Sequence, residues 1–199
     1  MVTSPDVDSR RGSIAQVAGH LLAEGGTNAV TMGSVAEKTG LSRPAIYRYF
    51  ASSSHILAEL VINEMADLIN ALEAIVGKVD DPLEKIRVWT HYSIVHLSSE
   101  EHAVIQQISK NDLPDDQRGV IRALHGYLMA MVVEPLEALN VEDASGLCGL
   151  IYGTVAAAAE RVREGSSFLG EAKLLEGFLE AGLTHHTSKI AHIAQSTQK

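Results

Sequence analysis

Residues 31–50 read TMGSVAEKTGLSRPAIYRYF, and these positions decide the fold. Ala36, Gly40 and Ile46 stand four and then six residues apart. Two short helices that cross at a tight turn need this pattern. A small residue in the first helix lets the second come close, a glycine supplies the positive φ of the turn, and a branched apolar residue fills the angle between them. Thr31 is placed to cap the first helix and Gly40 to end it. Ser42 caps the second, with Pro44 in its first turn, where a missing N–H costs little. The reading predicts the second helix over residues 42–50.

Upstream, Ile14, Val17, Ala18, Leu21 and Leu22 recur at helical spacing. They predict a helix from Arg10 that stops at Gly25-Gly26. Residues 1–9 contain Pro5 and no apolar period, so disorder is expected there. Downstream, Ile56, Leu57, Leu60, Val61, Met65, Leu68, Ile69, Leu72 and Ile75 lie on one face of a long helix starting at Ser52 and closed by Gly77. Asp80-Asp81-Pro82 opens a fifth helix, to about Leu97. A sixth runs from about Glu101 to Lys110, followed by a turn from Asn111 to Asp116. A seventh extends from about Asp116 to Leu139, with Pro135 bending or fraying its end. Asp143 or Glu142 opens an eighth, to about Glu164, and a ninth begins near Glu171 and passes His186. Asn-Gly and Asp-Gly turns between alternating runs are absent. The expected fold is all-α with nine helices: a three-helix head over residues 1–52 and a larger helical bundle over 53–199.

The chain has 199 residues, of which 46% are hydrophobic, and no apolar run approaches the ~18 residues of a membrane span. The N-terminus lacks the basic-then-apolar order of a secretory signal. A soluble, cytoplasmic protein with no membrane partner is expected. A single cysteine, Cys148, excludes an intrachain disulfide and a cysteine metal cluster. The formal net charge of −9 is unevenly spread. Residues 1–55 carry Arg10, Arg11, Lys38, Arg43 and Arg48 against Asp6, Asp8, Glu24 and Glu37, a net of +1, which leaves −10 on the rest. Phosphate contact needs a local basic surface, not a basic whole.

The second helix of the crossed pair concentrates chemistry suited to a duplex. Arg43 and Arg48 are candidate base readers, because guanidinium pairs bidentately with guanine edges. Ala45 lets the helix approach the bases, and Ser42 and Thr31 offer hydroxyls or helix-start N–H groups to phosphates. With the first helix (Ile14, Ala18, Leu22), Gly25, Thr31, Val35-Ala36, Gly40-Leu41-Ser42, Ala45, Tyr47, Phe50 and Leu57, residues 10–57 resemble the TetR/AcrR family of bacterial transcriptional regulators. The resemblance implies a nine-helix homodimer, a helix-turn-helix head and a body that binds a small effector. It implies that Tyr47 and Tyr49 donate to phosphates and that Pro44 sits at the DNA-facing helix start. The family continues aromatic-x-Ser-Lys-acid. Here Phe50-Ala51-Ser52-Ser53-Ser54 puts serine where the phosphate-binding lysine is expected.

The body gives weaker signals. Gly146, Gly149, Gly153 and Ala156 to Ala159 make the eighth helix rich in small residues, and Leu174, Leu175, Phe178, Leu179 and Leu183 stripe the ninth. The resemblance implies that these helices pair with their copies, so homodimerisation is expected through residues about 143–186. Trp89, Tyr92, His96, Gln106, Tyr127, Met131 and Tyr152 are polar or aromatic handles on apolar segments and form the candidate effector pocket. His91, His96 and His102 lack the i, i+4 spacing of a helical metal pair, so neither metal nor cofactor is expected. Hydrolase, P-loop, dinucleotide and zinc-protease motifs are absent, so no catalytic residue is assigned and the chain does not read as an enzyme. The expected function is a ligand-responsive transcriptional regulator, a repressor released from a palindromic operator by a small organic effector. The alternative is a helical ligand-binding or protein-interaction module that binds no operator.

Overall fold

Helix α1 (Pro5–Gly25) starts earlier than its apolar period. A proline is tolerated in a first helical turn, so Pro5 does not bar the earlier start. The expected disorder of residues 1–9 is therefore corrected: residues 5–9 are helical, and residues 1–4 lie outside the described residues. This computed structural model describes the backbone of residues 5–196 and the side chains of 9–183.

Nine α-helices and two 3-10 turns (Thr27–Ala29 and Lys110–Asp112) make up the described residues, without a strand. After α1 come α2 (Met32–Thr39), α3 (Arg43–Tyr47), α4 (Ser53–Val76), α5 (Pro82–Leu97), α6 (Glu100–Ile105), α7 (Asp115–Ala138), α8 (Ala144–Arg163) and α9 (Phe168–Ser196). The predicted caps are in place. Asp81 accepts from the Glu84 N–H at α5 (2.8 Å), and Asp143 accepts from the Gly146 N–H at α8 (2.8 Å). Three ends differ from the reading. α3 is helical only to Tyr47, α6 stops at Ile105 instead of Lys110, and α9 begins at Phe168. Pro135 does not end α7, which runs on to Ala138.

The chain forms two compact units. The first contains residues Met1–Asp67 and Glu100–Leu124, the second Leu68–Ser99 and His125–Lys199. The expected boundary at residue 52 does not match this grouping, for two reasons. α4 runs on without a break past that point, and Val104, Ile105 and Ile108 pack against the core formed by Ile14, Ala18, Leu22, Val35, Ile46, Phe50 and Ile56. These three side chains are partly buried there, so residues 104–108 share the core of the first unit. In the second unit α5 packs on α8 and α9, and α8 packs on α9. No helix of the described residues is long and apolar enough to cross a membrane.

Candidate nucleic-acid interface

The crossed pair is built from its caps inward. Thr31 Oγ1 accepts from the Ser34 N–H, and Ser34 Oγ accepts from the Thr31 N–H, both at 3.0 Å, which closes a reciprocal box at the start of α2. α2 ends at Gly40, whose φ of 69° is left-handed, and Leu41 N–H returns to the Ala36 carbonyl at 3.1 Å. Ser42 Oγ then caps α3 by accepting from the Ala45 N–H (3.3 Å). The Leu41–Ala36 backbone bond and the Ser42 side-chain cap together fix the turn between α2 and α3.

Burial splits α3 into two faces. Ile46 and Phe50 are buried in the core, with Val35 and Ala36 of α2 beneath them. Ser42, Arg43, Pro44, Tyr47 and Arg48 are exposed, as is Thr31, while Ala45 and Tyr49 are half-buried. Tyr47 keeps 56% of its surface exposed, high for a large aromatic ring. Arg43 and Arg48 have no carboxylate partner among the described residues. Six of the eight residues read as DNA contacts are therefore exposed, two of them arginines without an ion pair among the described residues. Tyr49 differs: its ring packs against the core, and its carbonyl is held from below. Ser53 is the first residue of α4, so its backbone N–H belongs to a helix start.

The sequence reading missed what holds this surface. Arg11 Nε and Nη2 donate to the two carboxylate oxygens of Glu59 (2.7 and 2.6 Å), and Nη1 donates to the Tyr49 carbonyl (2.9 Å). The same guanidinium lies 4.4 Å from the centre of the Phe50 ring. Arg11 so ties α1, α4 and the segment after α3 together. Its only signal in the sequence was a positive charge beside the head's core helix, which does not separate a clamp from a phosphate contact. Near the same end, Ser52 Oγ and His55 Nδ1 lie 2.8 Å apart, and His55 Nε2 lies 3.3 Å from Asp116 Oδ2. The hydrogen bond with His55 holds the Asp116 carboxyl below its ordinary range.

The pocket candidates do not converge. Tyr127 and Met131 line an open cleft of about 440 Å³ with Glu73, Val76, Asp80, Pro82, Lys85, Glu134 and Pro135. The Tyr127 hydroxyl donates to Glu73 Oε1 at 2.5 Å, and that carboxylate pushes the phenol above its ordinary range. Trp89 does not line this cleft: it is buried in the core, and its indole N–H and the Ser93 hydroxyl four residues on have no hydrogen-bond partner among the described residues. Tyr152 stacks edge-on with His125. Tyr92 and His96 are half-buried on α5. Gln106 belongs to the first unit, where its amide meets His102 Nε2 at 3.0 Å, while His102 Nδ1 faces Glu64 at 2.7 Å. Cys148 is buried, and burial pushes its thiol up, away from the reactive thiolate form.

Residues 14–60, the first helix through the start of α4, match the model of the bacterial regulatory proteins, tetR family. This stretch is a tetR-family domain. A curated relative, the HTH-type transcriptional repressor KstR2 of Mycobacterium tuberculosis, is 31% identical over 81 residues, which is 41% of this chain and 40% of that protein. The match so spans well under half the length of the relative. Beyond it, the fold is similar to solved structures over most of the chain. The solved ketosteroid regulator KstR2 of M. tuberculosis superposes with a TM-score of 0.62 at 22% identity, over 93% of this chain and 96% of that one. A TetR/AcrR regulator from Thermobifida fusca gives 0.69 at 17% identity (86% and 96% covered). AibR, solved with isovaleryl coenzyme A and operator DNA, gives 0.70 at 14% identity (85% and 97% covered).

Proposed function

We propose that this chain is a cytoplasmic, ligand-responsive transcriptional regulator that binds a palindromic operator as a homodimer, and that it acts as a repressor released by a small organic effector. One observation carries the reading: Ile46 and Phe50 are buried while Arg43, Tyr47 and Arg48 are exposed, and neither arginine forms an ion pair among the described residues. A surface helix that wanted only solubility would pair such charges; one that enters a major groove leaves them for phosphates and base edges. The KstR2 and AibR likenesses support operator binding, since one is named a repressor and the other was solved on its operator.

Dimerisation rests on the second unit. Gly149, Leu150, Gly153 and Ala157 on α8 and Leu174, Gly177, Phe178 and Ala181 on α9 are exposed at helical spacing. A Cβ added at Gly149, Gly153 or Gly177 meets nothing within 4 Å. These glycines answer no need of the single chain, and a second copy lying close against them explains both the small residues and the exposed apolar ones. Two heads about one DNA turn apart, ~34–36 Å, then read both halves of a palindrome.

The effector seat is the cleft at Tyr127 and Met131. Its Glu73, Asp80 and Glu134 against the single Lys85 favour a neutral or cationic molecule and disfavour the phosphates of a coenzyme A thioester. α4 reaches from the head to Glu73 and Val76 on the cleft wall as one helix, the element that carries the response. Moving nearly all molecules from the binding to the released state takes about 5.5 kcal/mol of differential effector affinity.

The test is an anisotropy titration of palindromes from the neighbouring genomic DNA. Operator binding that weakens steeply with salt supports the reading, because each phosphate contact releases counterions. Arg43→Ala should cost about 1–3 kcal/mol of specific binding. Absence of any palindrome retarded at low salt overturns the reading. Given the net charge of −9, it would favour a protein-interaction module instead.

A further inference from the structure

We propose that Gly33 is the seat of the Arg43 guanidinium, a positioning residue that holds this arginine ready to read a base. The proposal rests on the operator-binding reading above. Gly33 lies in the first turn of α2, between the two residues of the Thr31–Ser34 capping box. A Cβ built on it would lie 2.5 Å from Arg43 Nη2, 3.2 Å from Cζ and 3.3 Å from Nε. The side chain of Arg43, the first residue of α3, therefore folds back across the start of α2 and occupies the space that any other residue at position 33 would fill.

Nothing else in the structure asks for glycine here. The positive-φ glycines are Gly26, Gly40 and Gly165, so the backbone at 33 is open to any residue. The three atoms nearest the added Cβ all belong to Arg43. Glycine inside a helix costs about 1 kcal/mol relative to alanine, and α2 has only eight residues over which to absorb that cost. The penalty falls where the guanidinium needs room. Arg43 has no ion pair among the described residues, so the surface of Gly33 is what restricts its rotamers. A long side chain ordered before binding gives up less freedom on reaching a base edge.

The obstacle to a larger residue is the far end of a flexible side chain, not backbone. Gly33→Ala therefore leaves the fold intact and frees the arginine. The full-length protein is compared with Gly33→Ala, Gly33→Ser, Arg43→Ala and the Gly33→Ala/Arg43→Ala double variant, by thermal melting and by anisotropy on the operator and on operators with each base pair exchanged. Gly33→Ala is expected to melt no lower than the parent and to bind about three- to ten-fold more weakly. Its discrimination should fall at the same base pair as for Arg43→Ala, and the double variant should bind no worse than Arg43→Ala alone. Gly33→Ser should behave as Gly33→Ala. An equal loss from Gly33→Ala with and without Arg43 overturns the proposal, because Gly33 would then act through the DNA backbone directly. Unchanged operator affinity in Gly33→Ala also overturns it, while leaving operator binding itself standing. A parent protein that binds no operator removes both.

Discussion

Replacing Arg11 by alanine should destabilise the protein by about 2–3 kcal/mol, far more than loss of an ordinary surface charge. The value follows from where the pair lies between two limits. Exposed ion pairs contribute about 0–1 kcal/mol, and removing one partner of a buried pair costs about 3–5 kcal/mol. The Arg11 side chain is 39% exposed and that of Glu59 17%, and both carboxylate oxygens are engaged. An intermediate of about 2 kcal/mol is expected for the pair, with about 0.5–1 kcal/mol more for the cation over Phe50. At about 2–4 °C per kcal/mol for a chain of this size, the melting temperature should fall by about 5–10 °C. The assay is urea unfolding followed by circular dichroism at one fixed protein concentration, since dimerisation would otherwise move the midpoint. A double-mutant cycle with Glu59→Gln should return a coupling of about 1–2 kcal/mol. Most of it should survive a rise in salt, because a short, partly buried pair is weakly screened. A coupling below about 0.3 kcal/mol would refute the clamp, whatever the single variants do.

Gly40→Ala should cost about 1–2 kcal/mol from backbone strain alone, because φ there is 69° and a Cβ meets nothing within 4 Å; an unchanged unfolding midpoint would contradict this. Leu174→Asp and Phe178→Asp should each yield monomers in sedimentation runs while retaining helical content, and a persistent dimer would move the interface elsewhere. Asp116 should titrate below 3.8 by carboxyl NMR, and His55→Ala should bring it back up. Since this acid's folded pKa is depressed, its contribution to stability is present above the unfolded value and lost as pH falls through the lowered one. An Asp116 titration indifferent to His55→Ala removes that linkage.

The head was legible because its determinants are local. Thr31, Gly40 and Ser42 act on backbone groups within four residues of themselves, and Ala36 and Ile46 need only be small and branched. The clamp was not legible because Arg11 and Glu59 stand 48 residues apart, and nothing in either residue's neighbourhood names the other. The start of α1 was missed for a different reason. The turns before Arg10 carry no apolar period to read. The effector candidates failed to converge because an aromatic residue on an apolar helix has the same signature whether it fills a core, as Trp89 does, or lines a cleft, as Tyr127 does. The grouping of residues 100–124 with the head was not legible, because a hydrophobic stripe shows that a helix packs, not on what. α6 and the segment after it give Val104, Ile105 and Ile108 to the head's core across more than 40 residues of intervening chain.

The open stripe of glycine and alanine on α8 and α9 has a thermodynamic corollary. Such residues have no rotamers to freeze, so joining two copies along them surrenders almost no side-chain entropy. The ordering penalty of assembly falls on Leu150, Leu174 and Phe178, which are 66%, 65% and 59% exposed in the single chain. An alanine scan of this surface should be silent at most positions and loud at those three, while enlarging a glycine should hurt more than truncating its neighbours.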